Sequence, residues 1–162
     1  MMQDFGQATG KDTIGDKWQV KAAYVCEEWI KTQQTYVADL RLICDEYATP
    51  IAAHGLLSPT DCSRVFGNIS ELLGCDEQVL AALQQEGERI AIISGTFLKM
   101  APFYKLYSEY CRKYEDGLCT LQGCKRSSSK LQSFLKTKAG VALESLLIKP
   151  VQRLLKLPLF FR

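Results

Sequence analysis

Histidine is almost missing from this chain: His54 is the one example in 162 residues. That excludes a histidine-based zinc centre and a triad driven by histidine. His54 falls in a loop bounded by proline and glycine, the setting of a surface residue. There is no CxxC pair, and the seven cysteines (26, 44, 62, 75, 111, 119 and 124) are odd in number and scattered. They do not form a disulfide framework and read as reduced thiols, several of them small core residues. No glycine-rich phosphate loop is present, because Gly10 to Gly15 lacks the Lys-Ser/Thr pair and no strand precedes it. The longest uncharged stretch, Tyr47 to Thr60, is interrupted by Pro50, His54 and Pro59 and cannot be a membrane span. The first residues have no basic region followed by an apolar one, so no signal peptide is expected and the chain reads as cytoplasmic. An imbalance of charge is also lacking. Lys+Arg is 20 against Asp+Glu 18, and a net +2 exerts no global pull on nucleic acid or on a membrane surface. Metal clusters and paired-carboxylate hydrolase sites fail on inventory or spacing, so the sequence offers no bond-making or bond-breaking chemistry.

What is present is helical periodicity. Apolar residues make up 47% of the chain, enough for one domain with a hydrophobic core. Residues 1–16, with three glycines and few large apolar groups, read as a loose tail, and residues 17–162 as one helical domain. A long amphipathic helix is expected from Lys17 to Tyr47, closed by Pro50. On a wheel of about 100° per residue, Trp29, Ile30, Tyr36, Val37 and Leu40 cluster around Gln33, which puts an amide in the middle of an apolar stripe. Ser58-Pro59-Thr60-Asp61 is a helix start, with Ser58 as N-cap and Pro59 in the first helical position. That helix is expected to run on to Gln85, weakened at Gly74. A third segment spans Glu88 to Gln122, with breaks at Gly95 and Pro102. Lys125 to Lys130 reads as a polar linker, Lys130 to Lys138 as a short helix ended by Gly140, and a last helix begins near Val141. With no internal repeat and few β-branched runs, the fold class is all-α.

The last helix carries two distinct faces. Lys149, Gln152, Arg153 and Lys156 form a narrow polar band, opposite Leu147, Val151 and Leu154 with Ile148 and Leu155 beside them. By periodicity alone that band reads first as an ordinary solvated face.

Residues 145–159, Ser-Leu-Leu-Ile-Lys-Pro-Val-Gln-Arg-Leu-Leu-Lys-Leu-Pro-Leu, resemble the third signature region of the Dbl-homology domain, the exchange-factor module for Rho-family GTPases. Thr32 to Leu40 resembles the first region, Val65 to Leu72 the second, and Phe97 to Phe103 with Leu106 to Cys111 the helix that follows. All four occur in family order. The resemblance implies an elongated helical bundle that accelerates GDP release from a Rho-family small GTPase without covalent chemistry, cofactor or metal. It implies no nucleic-acid partner, and membrane contact only indirectly, through parts outside this chain. Lys156 matches the family lysine that touches the switch II region, and Gln152 a nearby contact position, within the band that also holds Lys149 and Arg153. Position 33 matches a glutamate that hydrogen-bonds switch I.

Two departures from the pattern bear on activity. Position 33 is Gln, which keeps an acceptor oxygen but loses the charge that makes a hydrogen bond about twice as strong. Gln33→Glu is therefore expected to speed GDP release. The sequence also stops at Arg162, inside the third region, on the apolar run Leu157, Leu159, Phe160 and Phe161, so the domain reads as C-terminally incomplete. On these two grounds the alternative is a non-catalytic helical module that binds a GTPase or acts as a scaffold.

Overall fold

The computed structural model describes residues 14–156, apart from 86, 88 and 139. The described residues contain helices and turns and no strand, as the periodicity requires. Most of the expected tail and the apolar run 157–162 lie outside the described residues.

The first helix, α1 (Ile14–Leu42), starts inside the stretch assigned to the tail. It does not close before Pro50. A π-helical stretch, Ile43–Ala48, continues directly into α2 (Thr49–Ala53), with Pro50 in its first turn. The physical reason is visible in the hydrogen bonds. Proline has no N–H and its ring crowds the carbonyl four residues back, so an α-helical register cannot pass through it unchanged. Here Thr49 N–H bonds to the Cys44 carbonyl, five residues back, and the wider turn absorbs the proline.

Ser58 caps α3 (Pro59–Phe66) as expected, its Oγ accepting from Asp61 N–H at 3.1 Å. The single helix expected over 58–85 is two. Gly67, at φ +52, ends α3, and α4 (Ile69–Leu83) follows. Gly74 lies within α4 without breaking it. Next come α5 (Arg89–Met100), a 3₁₀ turn over Ala101–Phe103 that carries Pro102, and α6 (Tyr104–Ser127). The break at Pro102 is as expected; Gly95 stays helical. The polar linker is almost entirely helix. Ser128 alone separates α6 from α7 (Ser129–Thr137), and its Oγ caps α7 by accepting from Leu131 N–H at 3.2 Å. The last helix is also divided, into α8 (Leu143–Leu147) and α9 (Lys149–Lys156).

The core joins Leu40, Ile43 and Ile51 to Ile69 and Leu72, with Leu121, Leu131 and Leu146 closing it. A smaller cluster of Trp29, Val79, Leu83 and Met100 lies beyond it, where Phe97 stacks on Trp29 at 4.7 Å. Two tyrosines tie the C-terminal helices to this frame. Tyr110 donates to the Leu147 carbonyl at the end of α8, and Tyr47 donates to the Val141 carbonyl just before α8. Five of the thiols (Cys44, Cys62, Cys75, Cys111 and Cys124) have pKa values pushed up, with burial the largest cause, as suits inert packing groups. No cysteine is disulfide-bonded.

Candidate protein-binding groove

α9 lies beside α1, and the two helices form the walls of an open groove of about 710 Å³. Polar side chains bridge its floor. Lys149 Nζ donates to Asp39 Oδ2 at 2.5 Å. Arg153 Nη1 donates to Thr32 Oγ1 at 3.4 Å, and Arg153 Nη2 to Gln33 Oε1 at 2.5 Å. The Arg153 guanidinium also lies 5.5 Å from the centre of the Tyr36 ring.

Of the five residues singled out from the sequence, Lys149, Gln152, Arg153 and Lys156 line the groove, with Gln152 and Lys156 exposed and Lys149 half-buried, and Gln33 does not. Arg153 does not belong to the exposed part of the band: it is 6% exposed and reaches into the junction of α1, α4 and α6. Leu155, placed beside the packing face by the wheel, is 71% exposed instead. Gln33 is 1% exposed, and its amide faces inward. The polar centre of the α1 stripe thus has partners within the bundle.

The first of those partners, Asp76, was missed from the sequence. It is 2% exposed on α4, and its Oδ1 accepts from Gln33 Nε2 at 2.8 Å. Its Oδ2 accepts from the Tyr107 hydroxyl at 2.5 Å, and that hydroxyl lies 3.2 Å from the Tyr36 hydroxyl. The signal that exposed Gln33 was available for Asp76 too. It sits among Ile69, Leu72, Val79 and Leu83, a charge in the middle of an apolar stripe.

Burial dominates the electrostatics here. It pushes the Asp76 pKa up, while the bonds from Tyr107 and Gln33 and the Arg153 charge act the other way without cancelling it. Burial likewise lowers the Arg153 pKa and raises those of Tyr36 and Tyr107, which keeps both phenols protonated as donors. The network separates the two apolar clusters: Trp29, Val79 and Met100 on one side, Tyr36 and Tyr107 on the other. Among the described residues no group of acids, cysteines and histidine is arranged to hold a metal ion. No helix among them is long and apolar enough to cross a membrane. His54 is exposed at the end of α2, in agreement with a surface role.

The arrangement is suited to grip a protein surface rather than to carry out chemistry on a small molecule. It offers an open trough with a cation, an amide and hydroxyls along its walls, and a buried polar layer behind it. Comparison with known proteins places the chain in a family. The sequence model of one family, described as the RhoGEF domain, matches residues 25–162. The myosin-M heavy chain of Dictyostelium discoideum is 31% identical over 147 residues, covering 85% of this chain and 8% of that protein. The human pleckstrin homology domain-containing family G member 3 is 31% identical over 137 residues, covering 82% and 11% respectively. The chain therefore spans about a tenth of the length of these curated relatives. Among solved structures, one of the Vav1 exchange factor superposes with a TM-score of 0.81 at 23% identity, covering 88% of this chain and 40% of the other. The DH/PH domains of PDZ-RhoGEF, in complex with activated RhoA, superpose with a TM-score of 0.70 at 17% identity, covering 87% and 44%.

Proposed function

Because this chain belongs to the RhoGEF domain family, we propose that it binds a Rho-family small GTPase along the α1–α9 groove and stimulates release of GDP. The observation that carries the reading is the convergence of Lys149, Gln152 and Lys156 on one wall of an open groove, opposite the first signature region. Lys156 and Gln152 are one helical turn apart and both exposed, so they can meet the same patch of a partner. Exchange of this kind requires no covalent step. The domain stabilises the nucleotide-poor GTPase, and the acceleration follows from binding that state more tightly than the loaded one. The partner is a protein, reached in the cytoplasm, and neither nucleic acid nor a cofactor enters the scheme.

Arg153 and Gln33 support the groove from behind. Gln33 bonds both Asp76 and Arg153 in the free chain, so a contact from Gln33 to a GTPase would require exchanging one of those buried partners. That observation favours a second reading, a module that binds the GTPase without exchange. Release of a fluorescent GDP analogue from a panel of Rho-family GTPases separates the two. Exchange is expected with at least one of them, and Lys156→Ala and Gln152→Ala are expected to weaken binding by about tenfold each, the worth of roughly 1.4 kcal/mol. Because both side chains are exposed, the circular dichroism and melting temperature should stay close to wild type. Binding of the nucleotide-free GTPase without faster release supports the second reading. Unchanged binding in both variants removes the groove from the interface.

A further inference from the structure

The hydrogen bonds behind the groove form a directed chain. The Tyr107 hydroxyl donates to one oxygen of Asp76, and the Gln33 amide donates to the other. Gln33 then accepts from Arg153 through its own oxygen, and Arg153 also reaches Thr32 at the groove wall. Asp76 is thus an acceptor on both sides, and Gln33 a donor on one side and an acceptor on the other. Side chains from α4, α1 and α9 are linked in that order, and all three network members are nearly inaccessible to solvent. The links from Asp76 through Gln33 to Arg153 tolerate no reversal, because a donor facing a donor or two carboxylates face to face are left unsatisfied.

We propose that Asp76 is a positioning residue of the exchange face: acting through Gln33 and Arg153, it sets α9 against α1 and so holds Lys149, Gln152 and Lys156 at the groove. This rests on the exchange-factor reading. Asp76 touches no groove residue that would meet the GTPase; its effect passes through Gln33 and Arg153.

The same chain of bonds reverses the expected effect of a carboxylate at position 33. In Gln33→Glu the new carboxylate would accept from Arg153 as the amide oxygen does, but would meet the Asp76 carboxylate where Gln33 now donates. Asp76→Asn loses the charged acceptor: its amide N–H must face either Gln33, where donor meets donor, or the Tyr107 hydroxyl, which then has to turn its own proton from position 76 to Tyr36. The pair Gln33→Glu with Asp76→Asn restores the side-chain links from Tyr107 through to Arg153 and gives up only the longer bond, 3.3 Å, that Gln33 Nε2 donates to the Asp76 backbone carbonyl. The introduced amide on α4 accepts from Tyr107 and donates to the introduced carboxylate on α1, which accepts from Arg153. Net charge is unchanged, and the carboxylate has moved from α4 to α1.

The test is GDP release from the responsive Rho-family GTPase by wild type, both single variants and the double, at a temperature where circular dichroism shows each folded. Each single variant is expected to slow release by about tenfold, the scale of one buried hydrogen bond to a charged group, and the double to recover to within about threefold of wild type. Leu131→Ala, which opens a cavity in α7 away from the groove, should destabilise the fold and leave release unchanged. Singles at the wild-type rate, a double no faster than the singles, or an equal loss in Leu131→Ala would each overturn the proposal. Hydrogen exchange over residues 149–156 provides a readout without a GTPase. Faster exchange in the singles, restored in the double, supports Asp76 as the group that sets α9, and equal protection in all four refutes it. Absence of release by wild type with every GTPase tested brings down the exchange reading, and the protection data then decide whether Asp76 orders α9. If a single variant is unfolded, Tyr107→Phe takes its place: it removes one bond to Asp76 and no charge, and unaltered α9 protection in it counts against the proposal.

Discussion

Asp76 and Glu144 are carboxylates in different surroundings, and they respond to acid in opposite directions. Burial holds the Asp76 pKa above that of an ordinary aspartate, so the folded state binds its proton more tightly than the unfolded chain does. The stability it contributes is full below the unfolded value, and is lost as pH rises through the higher folded value. Glu144 is the reverse case. Burial raises its pKa, but the hydrogen bond and charge of Lys125, together with a backbone bond, outweigh that and hold it low. Its contribution is present at neutral pH and disappears as pH falls through its folded value. The difference in melting temperature between wild type and Asp76→Asn should therefore move in favour of wild type as pH is lowered from neutral toward the ordinary carboxylate range. For Glu144→Gln the difference should shrink over the acid side of that range. A pH-independent difference for Asp76→Asn would mean that the buried carboxylate has the same proton affinity folded and unfolded.

Among the elements, two helix-interior glycines differ in what surrounds them. A Cβ on Gly117 of α6 would lie 2.4 Å from the backbone carbonyl oxygen of Arg64 in α3. A backbone atom cannot swing aside, so the two helices would have to separate. Gly117→Ala is expected to cost about 1–3 kcal/mol even though alanine is the better helix former. Gly74 of α4 meets nothing within 4 Å of the same added atom. Gly74→Ala should stabilise by about 0.5–1 kcal/mol through the lower entropy of its unfolded chain. Urea denaturation of both variants gives the signs directly, and a stabilised Gly117→Ala would show that α3 and α6 are not in close contact. The same elements show how proline acts by position. Pro59 starts α3 and Pro102 rides in a 3₁₀ turn, whereas Pro50 is carried inside a continuous helical path by the π stretch before it.

For the molecule as a whole, burial is unevenly distributed along α1. From Tyr36 into the start of the π-helical stretch, Tyr36, Val37, Leu40 and Ile43 are all buried. From Lys17 to Val25 no side chain is buried, and Trp18, Val20 and Tyr24 are exposed. One helix thus joins a buried part of the domain to an exposed one. Amide exchange over residues 17–25 should be faster than over 36–43 by several orders of magnitude, since the first can open locally and the second only with the core. Comparable protection along all of α1 would mean that its N-terminal half is covered in solution. The two tryptophans provide an independent check. Trp29, 3% exposed, should emit as a buried indole and Trp18 as a solvated one, so Trp29→Phe should shift the emission of the chain to longer wavelength.

The sequence alone determined the helical class, the cap at Ser58, the break at Pro102, the family resemblance and the presence of a polar residue inside the apolar stripe of α1. Each is a local property: a spacing of three or four residues, a side chain within reach of its own backbone, or a short ordered motif. The tertiary structure decided where the polar groups of that stripe and of α9 find partners. A helical wheel gives an angle about one axis and says nothing about which helix lies at that angle. Arg153 is long enough to turn from its place beside the exposed band into the junction with α1, while Leu155 is left exposed because none of the described elements covers it. The bond between Gln33 and Asp76 joins residues 43 positions apart, and that from Arg153 to Gln33 spans 120. Nothing in the local chemistry of either stretch requires such pairing. It exists because α4 packs against α1 while α9, packed on α6, sends Arg153 to the same place, so that buried donors and acceptors from three helices meet there.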